Sequence, residues 1–82
     1  MGGDENLGTI KLFAFPFAPR GYLPCEGQSL QVPTNAALYS ILGNRFGGDG
    51  IQTFCLPDLR GKEPIPNTKY YICISGVYPV RD

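Results

Sequence analysis

Lys69-Tyr70-Tyr71-Ile72-Cys73-Ile74-Ser75-Gly76-Val77-Tyr78 is the stretch that decides the fold. It carries the strongest strand signal in the chain, aromatic and β-branched side chains in alternation. Tyr70, Ile72 and Ile74 fall on one face of such a strand; Tyr71, Cys73 and Ser75 fall on the other. Both faces are apolar. Gly76 marks either a bulge or the close approach of another segment.

A second strand is expected over residues 8–15 (GTIKLFAF), with Ile10, Leu12 and Ala14 on one face and Thr9, Lys11 and Phe13 on the other. Phe13, Phe15 and Phe17 alternate, which predicts three rings along one side. Pro16, Pro19 and Gly21 then break the ladder. Tyr22-Leu23-Pro24-Cys25 reads as a short extended piece, and Glu26-Gly27-Gln28 as a tight turn with a positive φ at Gly27. Residues 29–32 form a short second arm, and residues 52–56 a further short strand.

The single helix expected lies at about residues 34–43. It starts either with Thr34 as its N-cap or with Pro33 at the first helical position. Ala37, Leu38, Ile41 and Leu42 form its apolar stripe, and Gly43 ends it. So short a helix is marginal alone in water and must pack on the strands. The fold class is therefore α+β: short strands, one short helix and long irregular loops rich in glycine and proline. Residues 1–7 read as a flexible lead and residues 8–82 as one domain.

Composition limits what the chain can do. It has 82 residues, with 7 Lys and Arg against 7 Asp and Glu, so its net charge is zero. A zero balance lacks the basic footprint of a nucleic-acid binder and gives little attraction to a membrane surface. No apolar run nears the roughly 20 residues of a membrane span. The acidic start, Met1-Gly2-Gly3-Asp4-Glu5, is unlike a signal peptide.

Cys25, Cys55 and Cys73 are scattered and histidine is lacking. Three such thiols do not make a zinc site, which takes four N or S ligands; no metal and no cofactor are expected. Buried apolar thiols are the favoured reading, with one disulfide open to a protein outside a cell.

Two groups of polar residues suit binding. Gly47-Gly48-Asp49-Gly50 could cradle an anion with its amides, though it follows the helix and lacks the Lys-Ser/Thr ending of a phosphate loop. Arg20, Arg45 and Arg60 each stand beside or near glycine and offer planar forks to a carboxylate or phosphate. The ligand-binding candidates are thus Arg20, Arg45, Gly47, Gly48, Asp49 and Arg60. The plainer reading has the loop structural and the arginines paired with Asp49, Asp58 or backbone carbonyls. Asp49 and Asp58 could do acid–base work as a pair, but each sits where Asp caps a turn. No nucleophile–base pair is evident, so no catalytic residue is assigned and the chain is read as non-enzymatic.

A chain of this size has a modest core, worth on the order of 3–5 kcal/mol. Two strands that are apolar on both faces exceed what it is expected to cover. The surplus predicts a homo-oligomer, with Phe13, Phe15, Phe17, Tyr70, Ile72 and Tyr78 at the contact.

The order of these blocks resembles a known family. Gly8-Thr9-Ile10-Lys11-Leu12-Phe13, Phe17-Ala18-Pro19-Arg20-Gly21-Tyr22, Cys25-Glu26-Gly27-Gln28, Ala37-Leu38-Tyr39-Ser40-Ile41-Leu42-Gly43, Phe46-Gly47-Gly48-Asp49-Gly50 and residues 54–61 (FCLPDLRG) are similar to the phage tail collar domain. Residues 71–79 look like the closing strand of its microcystin-dependent protein branch. The long variable segment of that family is reduced here to residues 62–69. The resemblance implies a small collar fold in a virion tail, or in the bacterial cytoplasm during phage or prophage expression. It implies trimers or higher assemblies and tail-fibre or baseplate partners, acting by surface recognition. The alternative is a free-standing binder of a small polar ligand, such as a sugar or nucleotide, in a pocket between subunits. Neither reading involves a nucleic-acid polymer or membrane insertion.

Overall fold

The computed structural model describes residues 5–14 and 16–79. Its elements in chain order are β1 (Ile10–Phe13), β2 (Tyr22–Pro24), β3 (Ser29–Gln31), α1 (Ala36–Leu42), β4 (Thr53–Cys55) and β5 (Lys69–Cys73). The fold is α+β, with two small antiparallel sheets and one short helix. One sheet has the order β1-β5-β2, and the other pairs β3 with β4.

β5 forms the middle of the larger sheet, where its apolar run Tyr70–Cys73 is covered on both faces. Ile72 lies between Ile10 and Leu23, and Tyr71 between Lys11 and Pro24. The alternation read from the sequence holds. Ile72, with Tyr70 and Ile74, faces the main core of Leu7, Cys25, Leu38, Leu42, Phe54 and Leu56. Tyr71 and Cys73 face a second cluster with Tyr22 and Phe13. The Phe13 ring meets Tyr22 and Tyr71 edge-on, with centroids 5.4 and 5.6 Å away, a geometry aromatic quadrupoles favour.

The strands end sooner than expected. β5 stops at Cys73, and β1 covers only Ile10–Phe13. Phe17 therefore lies past Pro16 in a bend, exposed and off the strand face expected to carry three rings. Phe15, the middle ring of that expectation, falls outside the described residues.

The helix starts at Ala36, later than the expected residues 34–43. Upstream, the Thr34 hydroxyl and the Asn35 amide both donate to the Gln31 carbonyl, and Asn35 N–H donates to Val32. These bonds close a turn that displaces the start to Asn35, whose side chain makes no capping bond. Two turns of helix are too few to stand alone; Leu38 and Leu42 hold this one by entering the core. Gly43, at φ 63, closes it with an N–H bond to the Tyr39 carbonyl.

Two further expectations change. Residues 5–7 do not belong to a flexible lead: Leu7 is buried in the main core, and Asn6 pairs with Val77. Nor does the surplus apolar face of β5 require another copy. Tyr71, Ile72 and Cys73 are each at most 1% exposed within the single chain.

Candidate functional site

The glycine loop after α1 is built around Asp49. One carboxylate oxygen, Oδ1, accepts N–H bonds from Ile51 (2.8 Å), Gln52 (2.8 Å) and Thr53 (3.0 Å). Backbone donors favour the anion, so they hold this carboxyl down at about 2. Gly50 N–H donates to the Thr53 carbonyl, Gly47 N–H to Asn44, and the Gly47 carbonyl accepts from Cys55. The loop thus lies against β4.

Gly48 is required there. Its φ is 94, and a Cβ would stand 2.5 Å from the Phe54 Cα and 2.6 Å from the Thr53 carbonyl oxygen. The loop here closes on the chain's own strand.

The turn after β4 is built the same way. Asp58 Oδ1 accepts from Arg60 N–H (3.2 Å) and Nε (2.9 Å), while Oδ2 accepts from Nη2 (2.8 Å). This two-pronged pairing holds the Asp58 carboxyl at about 2. A general acid needs a carboxyl raised toward neutral pH; Asp49 and Asp58 are both shifted the other way.

The arginines divide between their two readings. Arg45 donates from Nε to the Leu42 carbonyl (3.0 Å) and from Nη2 to Ile41 (2.8 Å). It closes the C-terminal end of α1, where carbonyls lack helical partners. Arg60 is held by Asp58. Arg20 is exposed in the turn before β2 and makes no hydrogen bond or ion pair with another described residue.

Of the residues expected at a subunit contact, Ile72 is excluded, because at 0% exposure it presents no surface. Tyr70 is half-buried against the main core, and Phe13 packs in the second cluster. Phe17 and Tyr78 are exposed. The Tyr78 hydroxyl shares a 2.7 Å hydrogen bond with Ser40 on α1.

Sequence reading missed a cleft of about 200 Å³ lined by Cys25, Glu26, Arg60, Glu63, Lys69 and Tyr70. Its residues come from the β2–β3 turn, the turn after β4 and the start of β5, so no local signal unites them. Lys69 faces Glu26 across it at 3.8 Å. Burial pushes the Cys25 thiol up to about 11. The cleft is smaller than the roughly 300 Å³ at which small-molecule pockets begin. The described residues contain no group of three or more His, Cys, Asp or Glu suited to a metal ion, and no described helix is long and apolar enough to cross a membrane.

Two small sheets, one helix and turns whose polar groups serve each other make up a small module held together by local contacts. The family model described as the Phage Tail Collar Domain matches residues 8–64, and the chain belongs to that family. No curated protein matches the chain, and no solved structure does.

Proposed function

We propose that the chain is a non-enzymatic module of a phage or prophage tail that self-associates and acts by surface recognition. The observation that carries this reading is the collar match over residues 8–64. Support for association comes from large apolar side chains left in water, with Ile51 77%, Phe17 64% and Ile65 55% exposed. Covering such groups would stabilise a domain with a small core. Phe17 and Tyr78 are the expected contact residues whose side chains are exposed. In this reading the protein resides in the virion, and its partners are its own copies and tail-fibre or baseplate proteins. A small polar ligand is not adopted as a second reading, because Arg45, Arg60 and most of the loop amides have partners within the chain.

Light scattering on the eluting protein tests it. The expected mass is three or more times the 8.9 kDa chain, reduced by Phe17→Ser. A single-chain mass at high concentration overturns self-association.

A further inference from the structure

Glu5, Asn6 and Leu7 occupy a seat formed by residues from distant parts of the chain. Val77 N–H donates to the Glu5 carbonyl (2.8 Å), and Leu7 N–H donates to the Val77 carbonyl (2.7 Å). Asn6 thus lies directly beside Val77 in a parallel bridge. Gly76 is shaped for this segment, since a Cβ on it would collide with the Glu5 carbonyl. Lys11 Nζ reaches the Glu5 carboxylate at 2.7 Å. Leu7 then enters the main core. The seat therefore reads an acidic residue, an extended backbone and a leucine, in that order.

The connection from this segment to β1 is tight. Thr9 N–H donates back to the Asn6 carbonyl at 3.1 Å, with Gly8 at φ 87. That is the positive φ a type II turn requires at its third residue. Short constrained hinges favour exchange of an element between copies. Opening this turn lets residues 5–13 run as one extended strand. The docked segment is held by a single apolar side chain, one solvent-facing ion pair and few backbone bonds, as expected of a region that opens locally.

We infer that the seat of Lys11, Gly76 and Val77 is a docking surface for the Glu5-Asn6-Leu7 segment of a second copy. The inference rests on the self-association proposed above and gives it a physical basis. Exchange restores every contact of the closed chain except the Asn6–Thr9 turn bond, so its cost is low. A copy that donates its segment leaves a leucine-sized gap in its own core, and so must receive one.

The test mixes two full-length variants, Asn6→Cys and Val77→Cys, unfolds and refolds them together, and oxidises the product. Both substituted positions are exposed, so the variants are expected to fold. Exchange predicts a disulfide-linked heterodimer on a denaturing gel, at least about tenfold above either variant alone; those controls account for the native thiols. Inserting Gly-Ser-Gly after Gly8 relaxes the turn and lowers the yield. A chain carrying both substitutions confirms that the two positions meet, cross-linking within one copy when closed and between copies when exchanged. If that chain cross-links internally and the mixture gives no heterodimer above the controls, the inference is overturned. Light scattering separates the two readings: an oligomer without the cross-link leaves self-association standing and removes only the exchange.

Discussion

The Tyr39 hydroxyl donates a 2.9 Å hydrogen bond to the Gly50 carbonyl, fastening the helix to the glycine loop. The same ring tilts against Phe54, with centroids 5.3 Å apart. Two interactions of different kinds meet in one side chain, so they can be separated. Tyr39→Phe removes only the hydrogen bond and is expected to cost about 1 kcal/mol. Tyr39→Ala also removes the ring and is expected to cost about 3 kcal/mol or more. Urea unfolding of both variants checks this; no loss in Tyr39→Phe would show that the hydroxyl carries no part, and equal losses that the ring carries none.

Gly48→Ala is the most damaging single-methyl addition in the loop. Its Cβ would sit 2.5 Å from the Phe54 Cα, which is backbone and has no rotamer to yield. The left-handed φ adds roughly 1–2 kcal/mol on its own, so a loss of at least about 2 kcal/mol is expected. Gly43→Ala has the same sign of φ but meets nothing within 4 Å, so it should cost less. Thermal melts of the pair test whether the clash or the torsion dominates.

Acid stability should depend on Asp49 and Asp58. Both carboxyls titrate at about 2 in the folded chain, below the roughly 3.9 of an unfolded aspartate. Depressed folded values mean the contribution is complete above about pH 4 and fades as pH falls toward 2. Asp49→Asn and Asp58→Asn should each flatten the fall in melting temperature across that window. An unchanged slope would show that those bonds do not persist in solution.

The thiols give an alkaline counterpart. Burial raises the Cys25 value from 9.0 to about 11. The unfolded chain therefore loses this proton first, and stability falls as pH rises between those values. Cys25→Ala should remove that share of the decline, at the cost of some core packing. Cys25 and Cys73 are buried while Cys55 is half-buried. A thiol reagent at neutral pH should thus label Cys55 first and the other two only on unfolding.

Phe54 should be the least replaceable core residue. It is fully buried between Tyr39, Gly48 and the main cluster. Phe54→Ala is expected to cost about 3–5 kcal/mol, comparable with the whole stability of so small a domain. Circular dichroism should show an unfolded chain, whereas Phe54→Leu should stay folded with a lower midpoint.

Much of the candidate site was legible because its bonds are local. Asp58 reaches Arg60 two positions on, Asp49 caps the three amides of Ile51, Gln52 and Thr53, and Arg45 reaches back three and four positions to close the helix. Such contacts follow from residue type and spacing, and each was open to the reading that polar groups serve the turns they stand in. The cleft beside Cys25 was not legible, because its walls come from three separated segments.

The sequence by itself determined which residues share a face: Tyr70, Ile72 and Ile74 against Tyr71 and Cys73 on β5, and Leu38 with Leu42 on the helix. Side-chain alternation is a property of the local backbone, so the order of residues suffices. Only the tertiary structure decided what covers each face. Placing β5 between β1 and β2, and seating Leu7 in the core beside Val77, buried a strand that composition alone assigned to a neighbouring copy. Pairing between residues sixty positions apart depends on where the intervening turns send the chain, and no local pattern records that.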